Sequence, residues 1–127
     1  MAKKHIAGTD RLFEETERVT AIFARGDDVP QQFVPLPRLV PNRFNPRQNY
    51  SRETLNELVQ SMQTYGFIGA LDGRELPDGR VELAYGSRRL LAAKAVNIAA
   101  IPVFLHQWDD EQMRFIALIE NLSLIHI

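Results

Sequence analysis

Apolar and polar positions change period several times along this chain, and the clearest stretch lies between Ser51 and Gly66. There Leu55, Leu58, Val59, Met62 and Tyr65 recur at helical spacing and share one face. Ser51 supplies a capping hydroxyl, and Gly66 sits where a left-handed C-terminal cap belongs. Residues 68–76 and 80–85 read as two strands about the turn Pro77-Asp78-Gly79, a hairpin. Gly86 ends the second strand, and Ser87 to Asn97, rich in Ala and Leu, is a short helix. Ile101 to His106 is a further strand, whose Pro102 lacks a ladder donor and so belongs near its start or on an edge. Asp109 and Asp110 cap a last helix, from about Glu111 past Glu120.

Upstream of Ser51 the pattern is less regular. Thr9 to Arg25 is a candidate helix with Leu12, Phe13, Val19 and Phe23 on one side, stopped by Gly26-Asp27-Asp28. It either docks on the rest of the chain or forms a semi-ordered extension. Pro30, Pro35, Pro37, Pro41 and Pro46 then impose extended or turn backbone, with a short strand at Phe33-Val34. The order strand, helix, hairpin, helix, strand, helix predicts a compact α/β (α+β) domain, a small mixed sheet flanked by helices. Its expected bounds are residues 29–122, with 1–28 as an N-terminal extension and 123–127 as a truncated or non-native tail.

Composition narrows the function. A chain of 127 residues holds one core without staples. It has no cysteine, which excludes a disulfide framework, a thiolate zinc site and a cysteine nucleophile. No apolar run approaches the ~20 residues of a bilayer span, and Lys3-Lys4 leads into no signal-peptide core. The expectation is a soluble, cytoplasmic protein without a membrane partner. A formal net charge of −1 argues against autonomous grip on duplex DNA, whose affinity comes largely from neutralised phosphates. A small anion held by a few arginines remains compatible.

Three segments carry candidate chemistry. At Gly86-Ser87-Arg88-Arg89 a strand turns directly into a helix, whose first N–H groups and positive dipole end suit an anion. Arginines in a first helical turn oppose the dipole, a misfit that a bound polyanion would relieve through forked donors. The alternative is that both arginines pair with surface carboxylates. Asn45-Pro46-Arg47 puts an amide and a guanidinium on a rigid loop, or is simply a turn. Glu120-Asn121 follows the apolar run Met113–Ile119 and either meets a metal or phosphate-bound water or is a frayed helix end. His5, His106 and His126 are too scattered for a metal site, and Trp108 and Phe104 read as core residues.

In this order and spacing the segments resemble the N-terminal domain of ParB/RepB-type partition proteins, in the ParB/sulfiredoxin superfamily. The resemblance runs from Val34 to Leu122: Pro35-Leu-Pro-Arg-Leu-Val-Pro-Asn42 before Asn45-Pro46-Arg47, the helix ending at Tyr65-Gly66-Phe67, Gly86-Ser87-Arg88-Arg89, Ile101-Pro102-Val103 and Ala117-Leu-Ile-Glu-Asn-Leu122. It implies a ParB/sulfiredoxin-like fold, CTP binding with Mg²⁺, and a nucleotide-regulated dimeric clamp on DNA. By position, Arg88 and Arg89 with the Gly86 and Ser87 backbone would hold the triphosphate. Asn45 and Arg47 would lie along the nucleotide, and Glu120 with Asn121 would reach the phosphates and metal. The implied partners are DNA, through a helix-turn-helix portion absent here, a ParA-type ATPase and a second copy, on the nucleoid or a plasmid.

The chain departs from the family pattern in three places. Ser87 stands where the motif usually has glutamate, so at most a slow CTPase is expected. Gly66-Phe-Ile-Gly-Ala70 replaces the usual Gly-x-x-Gln-Pro, which puts base selectivity in doubt. Ser123 to Ile127 replaces the usual Gln-Arg continuation. Two other readings stay open: a small-molecule kinase or nuclease of the superfamily, using Glu82 or Glu120 as its carboxylate, and a degenerate interaction domain without nucleotide.

Overall fold

The structure, a computed structural model, describes residues 21–45 and 51–125, with side chains as far as Asn121. Its elements in chain order are β1 (Gln31–Pro35), a 3-10 turn (Leu36–Arg38), β2 (Leu39–Val40) and α1 (Arg52–Tyr65). Then follow β3 (Leu71–Glu75), β4 (Val81–Leu83), α2 (Ser87–Ala95), β5 (Ala100–Leu105) and α3 (Asp110–Ile125). The five strands form one sheet in the order β1-β5-β3-β4-β2. β1–β5 and β3–β4 pair antiparallel, and β5–β3 and β4–β2 parallel, so the sheet is mixed, as expected.

The outermost strands, β1 and β2, are neighbours in the chain, separated only by Leu36–Arg38. A flat sheet would hold them roughly 19 Å apart at about 4.8 Å per strand spacing. The link reaches only about 14 Å at full stretch. The sheet must therefore curl until its margins approach each other. The turn is fixed by Leu36, whose N–H bonds the Ala99 carbonyl at 3.1 Å, and by Arg38, whose Nε and Nη2 both donate to the Gly79 carbonyl at 2.9 and 2.7 Å.

Two apolar clusters follow. Val34, Leu71, Val81, Leu83, Ile101 and Val103 from the strands pack with Met62 of α1 and with Leu90, Ala92 and Ala93 of α2. Ala84, Trp108, Met113 and Ile116 form the second, with Ile22, Phe23, Phe44 and Tyr85 at its margin. Caps set the helix starts. The Ser51 hydroxyl accepts the Thr54 N–H at 3.4 Å. Asp109 and Gln112 exchange bonds of 2.8 and 2.9 Å, a reciprocal capping box that opens α3.

Two expectations change. Tyr65, placed on the apolar face of α1, is 72% exposed, whereas Met62 in the same last turn is buried in the first cluster. α2 stops at Ala95 rather than Asn97, which reverses the chain with φ of 60°. Pro102 lies near the start of β5, one of the two places expected for it, and that strand is interior to the sheet. Leu105 donates toward β1 and His106 toward β3, so even-numbered residues of β5 face β3. β3 begins opposite Val103, and the missing donor of Pro102 falls just before it.

Most of the candidate helix over 9–25 lies outside the described residues. Its described end, Ala21 and Ile22, is helical and is followed by a turn at Phe23. That end docks: the Trp108 indole N–H donates to the Ile22 carbonyl at 3.2 Å, and Phe23 meets Tyr85 and Trp108 edge-on. Among the described residues no helix is long and apolar enough to cross a membrane.

Candidate functional site

β4 leads through Ala84 and Tyr85 to Gly86, which takes φ 90° and ψ 24° and caps α2 without any side-chain cap. This left-handed turn strains any other residue by conformation, and a Cβ there would also crowd the Leu71 side chain at 3.0 Å. The first turn of α2 follows at once, presenting the backbone of Ser87, Arg88 and Arg89 at the positive end of the helix.

Opposite this turn stands Glu120. Its Oε2 accepts the Gly86 N–H at 3.2 Å and its Oε1 accepts Asn45 Nδ2 at 2.5 Å. Three predicted site residues, from a proline-bounded loop, a strand-to-helix turn and the last helix, thus meet at one carboxylate. Burial pushes the Glu120 carboxyl above its ordinary range, against the Gly86 and Asn45 hydrogen bonds and the charge of Arg88. Glu120 is not a frayed end but a half-buried anchor.

Asn42 positions the loop that brings Asn45 there. Its Nδ2 donates to the carbonyls of Ala84 and Met113, both at 3.0 Å, tying the loop to the end of β4 and to α3. Its Oδ1 accepts the Phe44 N–H at 3.0 Å, and its carbonyl accepts the Asn45 N–H at 3.0 Å. Two buried amide oxygens, Asn45 Oδ1 and Asn121 Oδ1, have no hydrogen-bond partner, and both belong to residues bonded to or adjoining Glu120. One carboxylate with two unsatisfied amide oxygens is an all-oxygen set that fits a hard divalent cation also carrying phosphate oxygens and water. Among the described residues no group of three His, Cys, Asp or Glu offers a metal site without such help.

The two arginines part company. Arg89 Nη2 donates to the Ile68 carbonyl, and its guanidinium lies 4.2 Å over the Phe67 ring. Burial holds Arg89 below the usual guanidinium range. Its bond to Ile68 and its stacking on Phe67 tie α2 to the 66–70 loop. Arg88 is half-buried, and its charge reaches Glu120. Ser87 is the first residue of α2. Arg47 lies outside the described residues.

Sequence reasoning missed a second polar centre behind this one. Asp72, on β3, is buried and receives Arg25, the Tyr85 hydroxyl at 2.5 Å and His106 Nε2 at 2.7 Å. Burial works to raise its carboxyl, but these hydrogen bonds outweigh it and hold Asp72 below the usual carboxylate range. A cavity of about 500 Å³ lies between the two centres, walled by Phe23, Arg25, Asp72, Tyr85, Ile116 and Glu120. Glu82 is likewise buried and accepts Arg74 Nε at 2.9 Å and the Arg43 N–H at 2.8 Å. The signal for that pair was present, since Arg74 and Glu82 stand directly opposite across the hairpin.

Residues 20–122 match the family described as the ParB N-terminal domain. A nucleoid occlusion protein of Geobacillus sp. (strain WCH70) is 36% identical over 90 residues, 71% of this chain and 32% of that protein. Its counterpart in Listeria monocytogenes serotype 4b (strain F2365) is 33% identical over 92 residues, 72% of this chain and 32% of that one. The chain thus spans about a third of the length of these relatives. Among solved structures, the C-terminally truncated chromosome-partitioning protein ParB from Caulobacter crescentus, complexed with CTP-gamma-S, superposes with a TM-score of 0.65 at 27% identity, over 74% of this chain and 53% of that one. The same protein complexed to the centromeric parS site gives 0.63 at 26%, over 72% and 47%. Sulfiredoxin from Arabidopsis thaliana shares the fold, with a TM-score of 0.56 at 21% identity over 68% of this chain and 96% of that one.

Proposed function

This chain belongs to the ParB N-terminal domain family, and from that premise we propose that it binds CTP with Mg²⁺ where Asn45, Gly86 and Glu120 meet. The convergence of those three residues on one carboxylate carries the reading. The relative solved with CTP-gamma-S supports the choice of nucleotide.

The chain's own groups divide the work. The N–H groups of the first turn of α2 and the Arg88 guanidinium receive the phosphates. Arg89, held by Phe67 and Ile68, lends charge from the side of the 66–70 loop. Glu120, with the free amide oxygens of Asn45 and Asn121, holds the cation. When bound, Mg²⁺ neutralises phosphate charge. Arg47, outside the described residues, is assigned to the nucleotide by its place in the motif alone.

Binding rather than turnover is the activity these residues favour. Ser87 offers no carboxylate in the first turn, Glu82 is engaged by Arg43 and Arg74, and Glu120 by Asn45 and Gly86. In the whole protein the domain serves as the nucleotide-regulated part of a homodimeric DNA clamp in chromosome or plasmid partition. DNA-sequence reading and ParA-type ATPase contact involve portions outside this site.

Calorimetric titration with CTP, ATP, GTP and UTP plus Mg²⁺, alongside Arg88→Ala, tests the reading. Saturable CTP binding that Arg88→Ala abolishes supports it. Preference for ATP points to an enzyme of the superfamily, and binding of none of the four sinks the nucleotide site.

A further inference from the structure

A run of contacts joins the N-terminal segment to the phosphate turn, and the proposed grip on nucleotide makes no use of it. Arg25 clasps Asp72 through two donors, Nε to Oδ1 at 2.9 Å and Nη2 to Oδ2 at 2.5 Å. The same Oδ2 accepts the Tyr85 hydroxyl at 2.5 Å, and Tyr85 immediately precedes Gly86. Asp72 is only 1% exposed, so one buried carboxylate fastens both the docked segment and the residue that enters the turn. The Phe23 ring, 5.7 Å edge-on from Tyr85, braces the same junction.

The direction of the first-turn N–H groups of α2 is set by the Gly86 turn, and Gly86 also donates to Glu120. A tether on Tyr85 therefore acts on both the phosphate-binding and the cation-binding halves of the site. We propose that Asp72 and Tyr85 are positioning residues for nucleotide, holding the Gly86 turn in register with the docked segment Ile22–Arg25. Docking of that segment and binding of nucleotide then strengthen each other by the same factor, as linkage requires. The inference rests on the nucleotide reading above.

Trp108 is the single tryptophan of the chain, and it touches the segment directly through Ile22 and Phe23, so its emission reports docking. CTP with Mg²⁺ is titrated by calorimetry and by Trp108 emission into the wild-type chain, Tyr85→Phe, Arg25→Ala, Arg25→Lys and the Tyr85→Phe/Arg25→Ala double variant. Tyr85→Phe keeps the ring against Phe23 and removes only the hydroxyl, and thermal melts verify that each variant is folded. The wild-type emission should shift with the same midpoint as the heat. Kd should rise on the order of tenfold in Tyr85→Phe and Arg25→Ala, the scale of one lost hydrogen bond to a charged group. Arg25→Lys should recover part of that loss, and the double variant should fall well short of the product of the singles. Equal Kd in every variant, or wild-type binding without an emission change, overturns the coupling and leaves the nucleotide site standing. No CTP binding by the wild-type chain removes both.

Discussion

Glu120 of the last helix accepts the backbone N–H of Gly86 at 3.2 Å, which places a negative group against the very turn that offers donors to an anion. Left alone, that carboxylate would repel a triphosphate. A cation between them reverses the sign.

The affinity of the chain for CTP should therefore depend steeply on Mg²⁺. Chelation should weaken wild-type binding by tenfold or more, roughly the scale of one unscreened charge interaction near a protein surface. Glu120→Gln should bind weakly but almost equally with and without Mg²⁺. Paired titrations in Mg²⁺ and in EDTA measure this directly, and a Glu120→Gln chain as metal-dependent as wild type would contradict it.

Acid should act at two places, on binding through Glu120 and on stability through Asp72. Because burial raises the Glu120 carboxyl, CTP·Mg²⁺ binding should fall as pH drops through that raised value. Glu120→Gln should lose this component, while protonation of the nucleotide affects both chains alike. Asp72 is shifted the other way, its folded-state value lying below the unfolded one. Its stability contribution is complete above the ordinary aspartate range and drains away as pH falls through the depressed value. Melting curves of wild type and Asp72→Asn in acid should converge.

Arg88 and Arg89 adjoin each other, yet their substitution should give different results. Arg88→Ala should weaken all four nucleoside triphosphates together. Arg89→Lys keeps charge but not the stacking on Phe67 or the forked reach to Ile68, so it should loosen the 66–70 loop. The expected outcome is a reduced ratio of CTP to UTP affinity with the mean affinity changed only a few-fold, read from competition titrations.

Asn42→Ala should destabilise the fold by about 1–3 kcal/mol, because it removes a buried donor that bonds the carbonyls of Ala84 and Met113. It also frees the loop bearing Asn45. Denaturant unfolding gives the first effect, and the CTP titration at a temperature where the variant is folded gives the second.

How legible this site was depended on whether each residue announced itself by period or by partner. Ser51, Gly66 and Asp109 mark helix ends through local chemistry, and the structure puts caps at all three. Gly86, Asn45 and Glu120 were singled out one at a time for residue type, and folding brought them together across 34 and 75 residues. Asn42 and Asp72 carry no periodic signature. A buried amide or carboxylate makes sense only once its donors and acceptors arrive, and for Asp72 these come from Arg25 and His106, 47 and 34 residues away. Pro102 was legible from its chemistry: it falls near the start of β5, and an interior strand tolerates its missing donor because β3 starts one residue later.

The link Leu36–Arg38 has a mechanical consequence. Because β1 and β2 form the two margins of the sheet and are yoked by three residues, prising either margin loose pulls on the other. The strands cannot peel away in succession, so the sheet should open in one step, and hydrogen exchange of the amides that pair β1 with β5 and β2 with β4 should proceed at matched rates.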